Sequence, residues 1–250
     1  MRLLGTIVAW IRGLFDKGVR IESRDGTAAV CVGMERSGKY GSCPGASVDS
    51  GRMRSLLSKY SSSTVLLQDG KATVSAVRSA LEAACRKDLA IFFYSGHGGR
   101  VRNPKAQDGS GYSEHLCLAN GALYDHDIWS VVSKAKGRVV LIFDCCHSAT
   151  MYRSSAKYNS YVFNRGFEFS MLKGIAFSQG RNNVLVWSGC PADGYSYGDG
   201  SGGVLTNAIL GAYRADRTYD RVWRYAARTV SSQRPVRTVI GEGFDGPVFR

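Results

Sequence analysis

Six short apolar runs punctuate the chain, at residues 27–32 (TAAVCV), 64–67 (TVLL), 89–94 (LAIFFY), 138–143 (RVVLIF), 184–187 (VLVW) and 236–240 (VRTVI). They are rich in β-branched and aromatic residues and too short for helices, so they predict strands. The run at 89–94 is apolar at every position, as in a parallel sheet covered on both faces. Between the runs, apolar residues recur at helical spacing. Met53, Leu56 and Leu57 mark a helix within 48–60, and Val74, Val77, Leu81 and Cys85 mark one within 71–87. Further helices are predicted near 125–133, 204–213 and 219–230. A Gly/Ser/Pro-rich loop at 37–47, a polar loop at 100–111 and a long aperiodic connection at 151–183 separate these elements. Strands alternating with helices predict an α/β fold: a mostly parallel central sheet of about six strands with helices on both faces.

Residues 1–22 form a separate amphipathic segment. Leu3, Leu4, Ile7, Val8, Ile11, Leu14 and Phe15 fall at helical spacing, with Arg2, Arg12 and Lys17 elsewhere on the wheel. Arg12 interrupts the apolar core and no small-residue cleavage site follows, which argues against a signal peptide. Packing on the protein's own body and lying on a membrane surface both stay open. The rest, 23–250, reads as the main domain.

Composition narrows the class. Hydrophobic residues make up 44% and charged residues 21%, ordinary values for a globular protein with a sizeable core. No stretch reaches the roughly 20 apolar residues of a membrane span. The seven cysteines are odd in number and scattered, with no C-x-x-C pair, so a reducing, cytoplasmic setting is expected. The net charge of +13 implies attraction to acidic surfaces. Arg217, Arg221, Arg224 and Arg228 recur at helical spacing, so nucleic acid is a possible partner, although no zinc-finger, RRM or KH pattern accompanies the charge.

The chemistry concentrates where two of the predicted strands end. The third runs into Tyr94-Ser95-Gly96-His97-Gly98-Gly99, and the fourth into Asp144-Cys145-Cys146-His147-Ser148. Ligands and reactive groups in open α/β sheets gather at the carboxyl ends of strands. Glycines beside His97 allow a tight turn and close approach of a substrate backbone. A cysteine at a strand end beside a histidine can be activated as thiolate. His97 lies about 50 residues upstream of Cys146, the separation found in caspases. His147 is the rival histidine, but neighbouring side chains on an extended segment point apart.

These two segments resemble the motifs of the metacaspases, Y-S-G-H-G and D-[SC]-C-H-S-G, with Ala149 in place of the last Gly. Gly45 and Asp49 are similar to the ends of the family's G-C-x-N-D segment. The 188–193 stretch resembles its S-[AG]-C-x-x-D, and Gly203-Val204-Leu205-Thr206 its G-x-[LF]-T. The resemblance implies a caspase-like three-layer sandwich and a cysteine endopeptidase. Cys146 would be the nucleophile, His97 its acid–base partner, and the N–H groups of Gly98 and Cys146 the oxyanion donors. Asp49, Ser95 and Asp144 would form an acidic pocket for a substrate Arg or Lys. By the same resemblance the protein is a monomer and a self-processing zymogen associated with programmed cell death.

The family's calcium-binding aspartates are matched by Ser113, Asp125, His126 and Arg153, a set with one carboxylate and an added cation. Calcium needs several oxygen ligands. The expectation is therefore an enzyme without metal or other cofactor, although Asp108, Glu114 or Asp127 could supply a rearranged site. Self-cleavage would fall in 151–183, at Arg153, Lys157, Arg165, Lys173 or Arg181. Two alternatives stay open: a catalytically silent caspase-fold scaffold, and a binder of acidic surfaces or nucleic acid.

Overall fold

The computed structural model describes residues 26–105, 111–147, 161–163, 183–190 and 196–250, with Lys39, Cys146, His147 and 161–163 described at the backbone. The amphipathic segment at 1–22 and most of the 151–183 connection lie outside the described residues.

The elements in chain order are β1 (Thr27–Gly33), α1 (Ala46–Leu57), β2 (Ser63–Gln68), α2 (Val74–Ala84), β3 (Leu89–Arg102), β4 (Tyr112–Leu118), β5 (Gly121–Tyr124) and α3 (Asp125–Val132). They continue with β6 (Arg138–His147), β7 (Tyr161–Phe163), β8 (Val184–Ser188), β9 (Ser196–Asp199), β10 (Gly202–Gly203), α4 (Val204–Ala212), α5 (Tyr219–Thr229) and β11 (Val236–Ile240). The main sheet runs β11-β8-β6-β3-β1-β2, with β4 and β5 attached beyond it at β3. The pairs β1–β2, β1–β3, β3–β6 and β6–β8 are parallel, whereas β11 joins β8 antiparallel. All six predicted strands are therefore present, in a mostly parallel sheet.

Alternation along the central strands sorts their side chains into two cores. Val30, Phe92, Leu141 and Val186 face one side, where α2 and α3 cover them with Val77, Leu81, Ile128 and Val132. Cys31, Phe93, Ile142 and Trp187 face the other, beneath Met53 and Leu57 of α1, Ile209 of α4 and Val222 of α5. Each fully buried side chain of this kind contributes about 1.5–3 kcal/mol relative to exposure. Helix starts follow local chemistry: Thr73 accepts from the N–H of Ala76 and Thr218 from that of Arg221.

The departures from the sequence reading concern the polar ends of the strands. β3 does not stop at Tyr94 but extends to Arg102, where β4 pairs with it antiparallel from Gly98 to Arg102. The predicted loop at 100–111 thus begins later, and His97 stands within a strand. β6 likewise extends to His147. The physical reason is that backbone pairing with a neighbour holds these segments extended whatever their side-chain pattern.

The order of strands places a switch point at β1 and β3. From β1 the chain passes through α1 to β2 on one side, and from β3 it moves to β6 and β8 on the other. A crevice opens at the carboxyl ends of two such strands.

Candidate active site

Ser95 to Gly98 on β3 and Asp144 to His147 on β6 lie at that end of the sheet, in parallel register. Ser95 stands opposite Asp144, Gly96 opposite Cys145, His97 opposite Cys146, and Gly98 opposite His147. Neighbouring strands are about 4.8 Å apart, so each pair shares a short reach. Gly96 has φ +153, and an added Cβ would come within 2.8 Å of Met34 Cβ and 2.7 Å of Tyr94 Oη. Only glycine fits there. The Tyr94 hydroxyl lies 2.7 Å from the His97 carbonyl and 2.9 Å from that of Cys117, tying the backbone of His97 to β4.

The ring of His97 is buried, with Nε2 3.1 Å from the carbonyl of Ser42 in the loop between β1 and α1. A carbonyl only accepts, so the proton sits on Nε2 and Nδ1 is the basic nitrogen of the ring. Burial holds the imidazole below its ordinary pKa, against the opposing effect of the Ser42 hydrogen bond. The neutral form dominates at physiological pH.

Behind this row sits a buried pair of carboxylates. Asp49, in the first turn of α1, is wholly buried. Its Oδ2 accepts from the Ser95 hydroxyl at 2.8 Å and from the N–H of Gly203 at 2.8 Å. Its Oδ1 is also buried, and has no hydrogen-bond partner among the described residues. Asp144 is saturated by contrast. Oδ1 accepts from the Ser196 hydroxyl at 3.1 Å, and Oδ2 from the N–H and the hydroxyl of Thr206, each at 2.7 Å. Asp144 therefore also caps the N-terminus of α4 from outside the helix.

Burial, and then the charge of Asp144, push the Asp49 carboxyl up to about 8, with Gly203, Ser95 and Arg52 pulling it the other way. Asp144 is raised as well, by burial, against the hydrogen bonds from Thr206 and Ser196. Two carboxylates in one dry site do not both ionise without a cation. The pair as it stands retains a proton and presents one unsatisfied oxygen, on Asp49. A guanidinium or ammonium reaching that oxygen would meet a partner of opposite charge and complementary geometry.

Several supporting groups were invisible to periodicity. Gln233, in the segment after α5, accepts from the N–H of Tyr197 at 2.7 Å and the hydroxyl of Ser196 at 3.3 Å. It also donates to the carbonyl of Gly189 at 3.0 Å. It thus links the end of β8 to β9 and fixes the serine that binds Asp144. Arg52 bridges the turn between β9 and β10 to α4, through the Ser201 carbonyl at 3.2 Å and Asn207 at 2.6 Å. Thr206 was legible only as part of a helix-start motif. Nothing in the local sequence marks Gln233.

Among the described residues no group of three or more His, Cys, Asp or Glu side chains could hold a metal ion. Ser113 is buried and accepts from Asn103, while Asp125 Oδ1 accepts from the N–H of His126 at 2.8 Å. Arg153, Asp108, Asp193 and the other basic residues of 151–182 lie outside the described residues. The six cysteines whose side chains are described, Cys31, Cys43, Cys85, Cys117, Cys145 and Cys190, are buried and form no disulfide among the described residues. Among the described residues no helix is long and apolar enough to cross a membrane.

Comparison with known proteins agrees with this layout. A crystal structure of a Geobacter sulfurreducens protein superposes with a TM-score of 0.69 over 89% of this chain and 98% of that one, at 21% identity, which speaks for the fold alone. Metacaspase-5 of Trypanosoma cruzi is 31% identical over 148 residues, covering 50% of this chain and 32% of the relative. Metacaspase III c of Phaeodactylum tricornutum is 28% identical over 132 residues, covering 44% and 39% respectively. Metacaspase-1 of Pyricularia oryzae is 37% identical over 84 residues, covering 31% and 21%. The matched region thus spans well under half the length of these curated relatives. The family model described as Caspase domain matches residues 27–241, from the first strand of the sheet to just past the last. The chain belongs to the caspase-domain family of cysteine-type peptidases.

Proposed function

We propose that this chain is a cysteine endopeptidase that cuts after Arg or Lys, with its chemistry and its specificity set on adjacent rows of one strand pair. The observation that carries the reading is the β3–β6 ladder, in which Ser95 faces Asp144 and, two positions on, His97 faces Cys146. Cys146 passes its thiol proton to Nδ1 of His97, the thiolate attacks the scissile carbonyl carbon, and the oxyanion is held by the N–H groups of Gly98 and Cys146. Such a donor is worth about 3 kcal/mol. The C–N bond then breaks as His97 delivers a proton to the leaving amine. Water hydrolyses the remaining thioester, with His97 now acting as base.

Asp49, Ser95 and Asp144 form the floor of the specificity pocket. The unpaired oxygen of Asp49 supports a cationic side chain there, because a buried acceptor left without a hydrogen bond costs about 1–3 kcal/mol. The reading includes activity without calcium, favoured by the single carboxylate among Ser113, Asp125, His126 and Arg153. It also includes a monomer acting in the cytoplasm, and self-processing within 151–183.

Fluorogenic peptides ending in Arg, Lys or Asp test this, with calcium or with chelator, beside Cys146→Ala and His97→Ala. The expected result is cleavage after Arg and Lys that survives chelator and is lost in both variants. Cleavage after Asp would overturn the pocket, and strict calcium dependence would overturn the metal-free reading. A folded protein that cleaves nothing would be either an unprocessed zymogen or a scaffold. Mass spectrometry of wild type against Cys146→Ala tests self-processing, and a single intact species in both rejects it.

A further inference from the structure

The outer face of α5 carries a feature that peptide hydrolysis does not use. Tyr219, Val222 and Ala226 bury the inner face of this helix, and Trp223 leans on Trp187 with ring centroids 5.6 Å apart. Arg217, Arg221, Arg224 and Arg228 form a stripe along an open cleft of about 750 Å³. At 1.5 Å per residue the stripe is about 16 Å long. One carboxylate, Asp220, lines the cleft, and it is already engaged by Arg224 at 2.5 Å and Arg237 at 3.8 Å. Arg221 and Arg228 are exposed and make no ion pair among the described residues. Like charges three and four positions apart on a helix repel, and an anion in the cleft would relieve that repulsion.

An aromatic ring sits within the stripe. Tyr225 is 51% exposed, and the Arg217 guanidinium lies 5.3 Å from its ring centroid. Arg217 is itself held by the Ala212 carbonyl at 2.6 Å. Guanidinium forks match phosphate oxygens, and an exposed ring flanked by them offers a stacking surface for a base. An acidic peptide would use the charges and have no need of the ring. A duplex would keep its bases stacked away from it.

We propose that the α5 cleft binds single-stranded nucleic acid, with Arg221 and Arg228 on the phosphates and Tyr225 stacked on a base. This site is independent of the peptidase reading, since it shares no residue with the β3–β6 row.

The test is fluorescence anisotropy on full-length Cys146→Ala protein with labelled oligothymidylate of about 20 nucleotides, between about 50 and 200 mM salt. Polyglutamate and a duplex of equal length serve as competitors. The expected result is that Arg221→Glu/Arg228→Glu weakens binding at least tenfold and flattens the salt dependence. Lys59→Glu/Lys134→Glu, with the same change in net charge on other exposed positions, should have a much smaller effect. Tyr225→Ala should cost roughly tenfold and Tyr225→Phe little, because stacking needs only the ring. No binding, equal loss in the two double variants, or indifference to Tyr225→Ala overturns the proposal. Competition by polyglutamate as strong as by the oligonucleotide also overturns it, in favour of an acidic protein partner.

Discussion

The hydroxyl of Ser95 donates to Asp49 at 2.8 Å, and Ser95 itself stands opposite Asp144 in the β3–β6 ladder. One small residue thus stands between two buried carboxylates from different elements, bonded to one and in ladder register with the other. A folded protein tolerates such a pair when hydrogen bonds, a proton or a cation compensates the charge. Hydrogen bonds satisfy Asp144 on both oxygens and Asp49 on one. What remains at Asp49 is a place for a cation, which ties the specificity of the site to its titration.

The first prediction is a pH dependence of stability and binding. The Asp49 carboxyl lies near 8 in the folded protein, against an ordinary value of 3.8. Between those values the folded state holds a proton that the unfolded chain has released, so stability falls as pH rises from about 4 to 8. Asp49→Asn removes this contribution, and its melting temperature should change less with pH across the window and exceed that of wild type above pH 8. A substrate guanidinium prefers the ionised pair, so KM for an Arg peptide should fall as pH rises from 6 to 8. A flat KM over this range would reject the coupling.

Asp49→Asn and Asp144→Asn should fail differently. The first removes the charge of the buried, unpaired oxygen while keeping an oxygen for Ser95 and Gly203. It should raise KM for Arg peptides roughly 10- to 100-fold, in line with a charge-assisted hydrogen bond of about 1.5–3 kcal/mol, in a protein that still folds. The second turns an amide N–H₂ toward one of the two donor sets that Asp144 now accepts from, Ser196 on Oδ1 or Thr206 on Oδ2. It should lower stability by about 1–3 kcal/mol. Denaturant midpoints measured beside peptide kinetics distinguish the two, and equal destabilisation would show that Asp49 is structural as well.

Gln233 is a positioning residue on this account, acting through Ser196 on Asp144. Gln233→Ala should raise KM for Arg peptides about tenfold with little change in kcat, because it loosens the pocket without touching the His97–Cys146 row. Gln233→Glu keeps the acceptor for Tyr197 but loses the donor to Gly189, and should fall between the two. A proportional loss of kcat in both variants would count against this role.

The hydrophobic pattern was enough to locate every strand of the β11-β8-β6-β3-β1-β2 path: the central parallel strands are apolar on both faces because both are covered, and the partly buried edge strands β2 and β11 keep short β-branched runs. It failed at the polar continuation of β3 and at β4 and β5. There Glu114 and His115 are buried in an edge hairpin that no apolar alternation announces. The same limit applies to the site. Asp49, Ser95, His97 and Asp144 stood out by residue type and resemblance, but the register that aligns the last three and the packing that brings Asp49 from α1 to Ser95 are tertiary facts. Gln233 and the saturation of Asp144 depend on contacts between segments 37 to 62 residues apart, beyond any local signal.

The last prediction concerns Gly203, which covers Asp144. Its φ of −76 is open to any residue, so replacing it carries no backbone penalty. A Cβ there would nevertheless overlap Asp144 Oδ2 and displace the N–H that serves Asp49. Gly203→Ala should therefore destabilise by about 1–3 kcal/mol, the cost of overpacking a filled site, and weaken Arg cleavage. In Gly203→Ala/Asp144→Ala the overlapping atom is gone, so the combined loss should be smaller than the sum of the single losses. A double-mutant cycle in denaturant measures that coupling. Strict additivity would mean that the two residues do not press on one another.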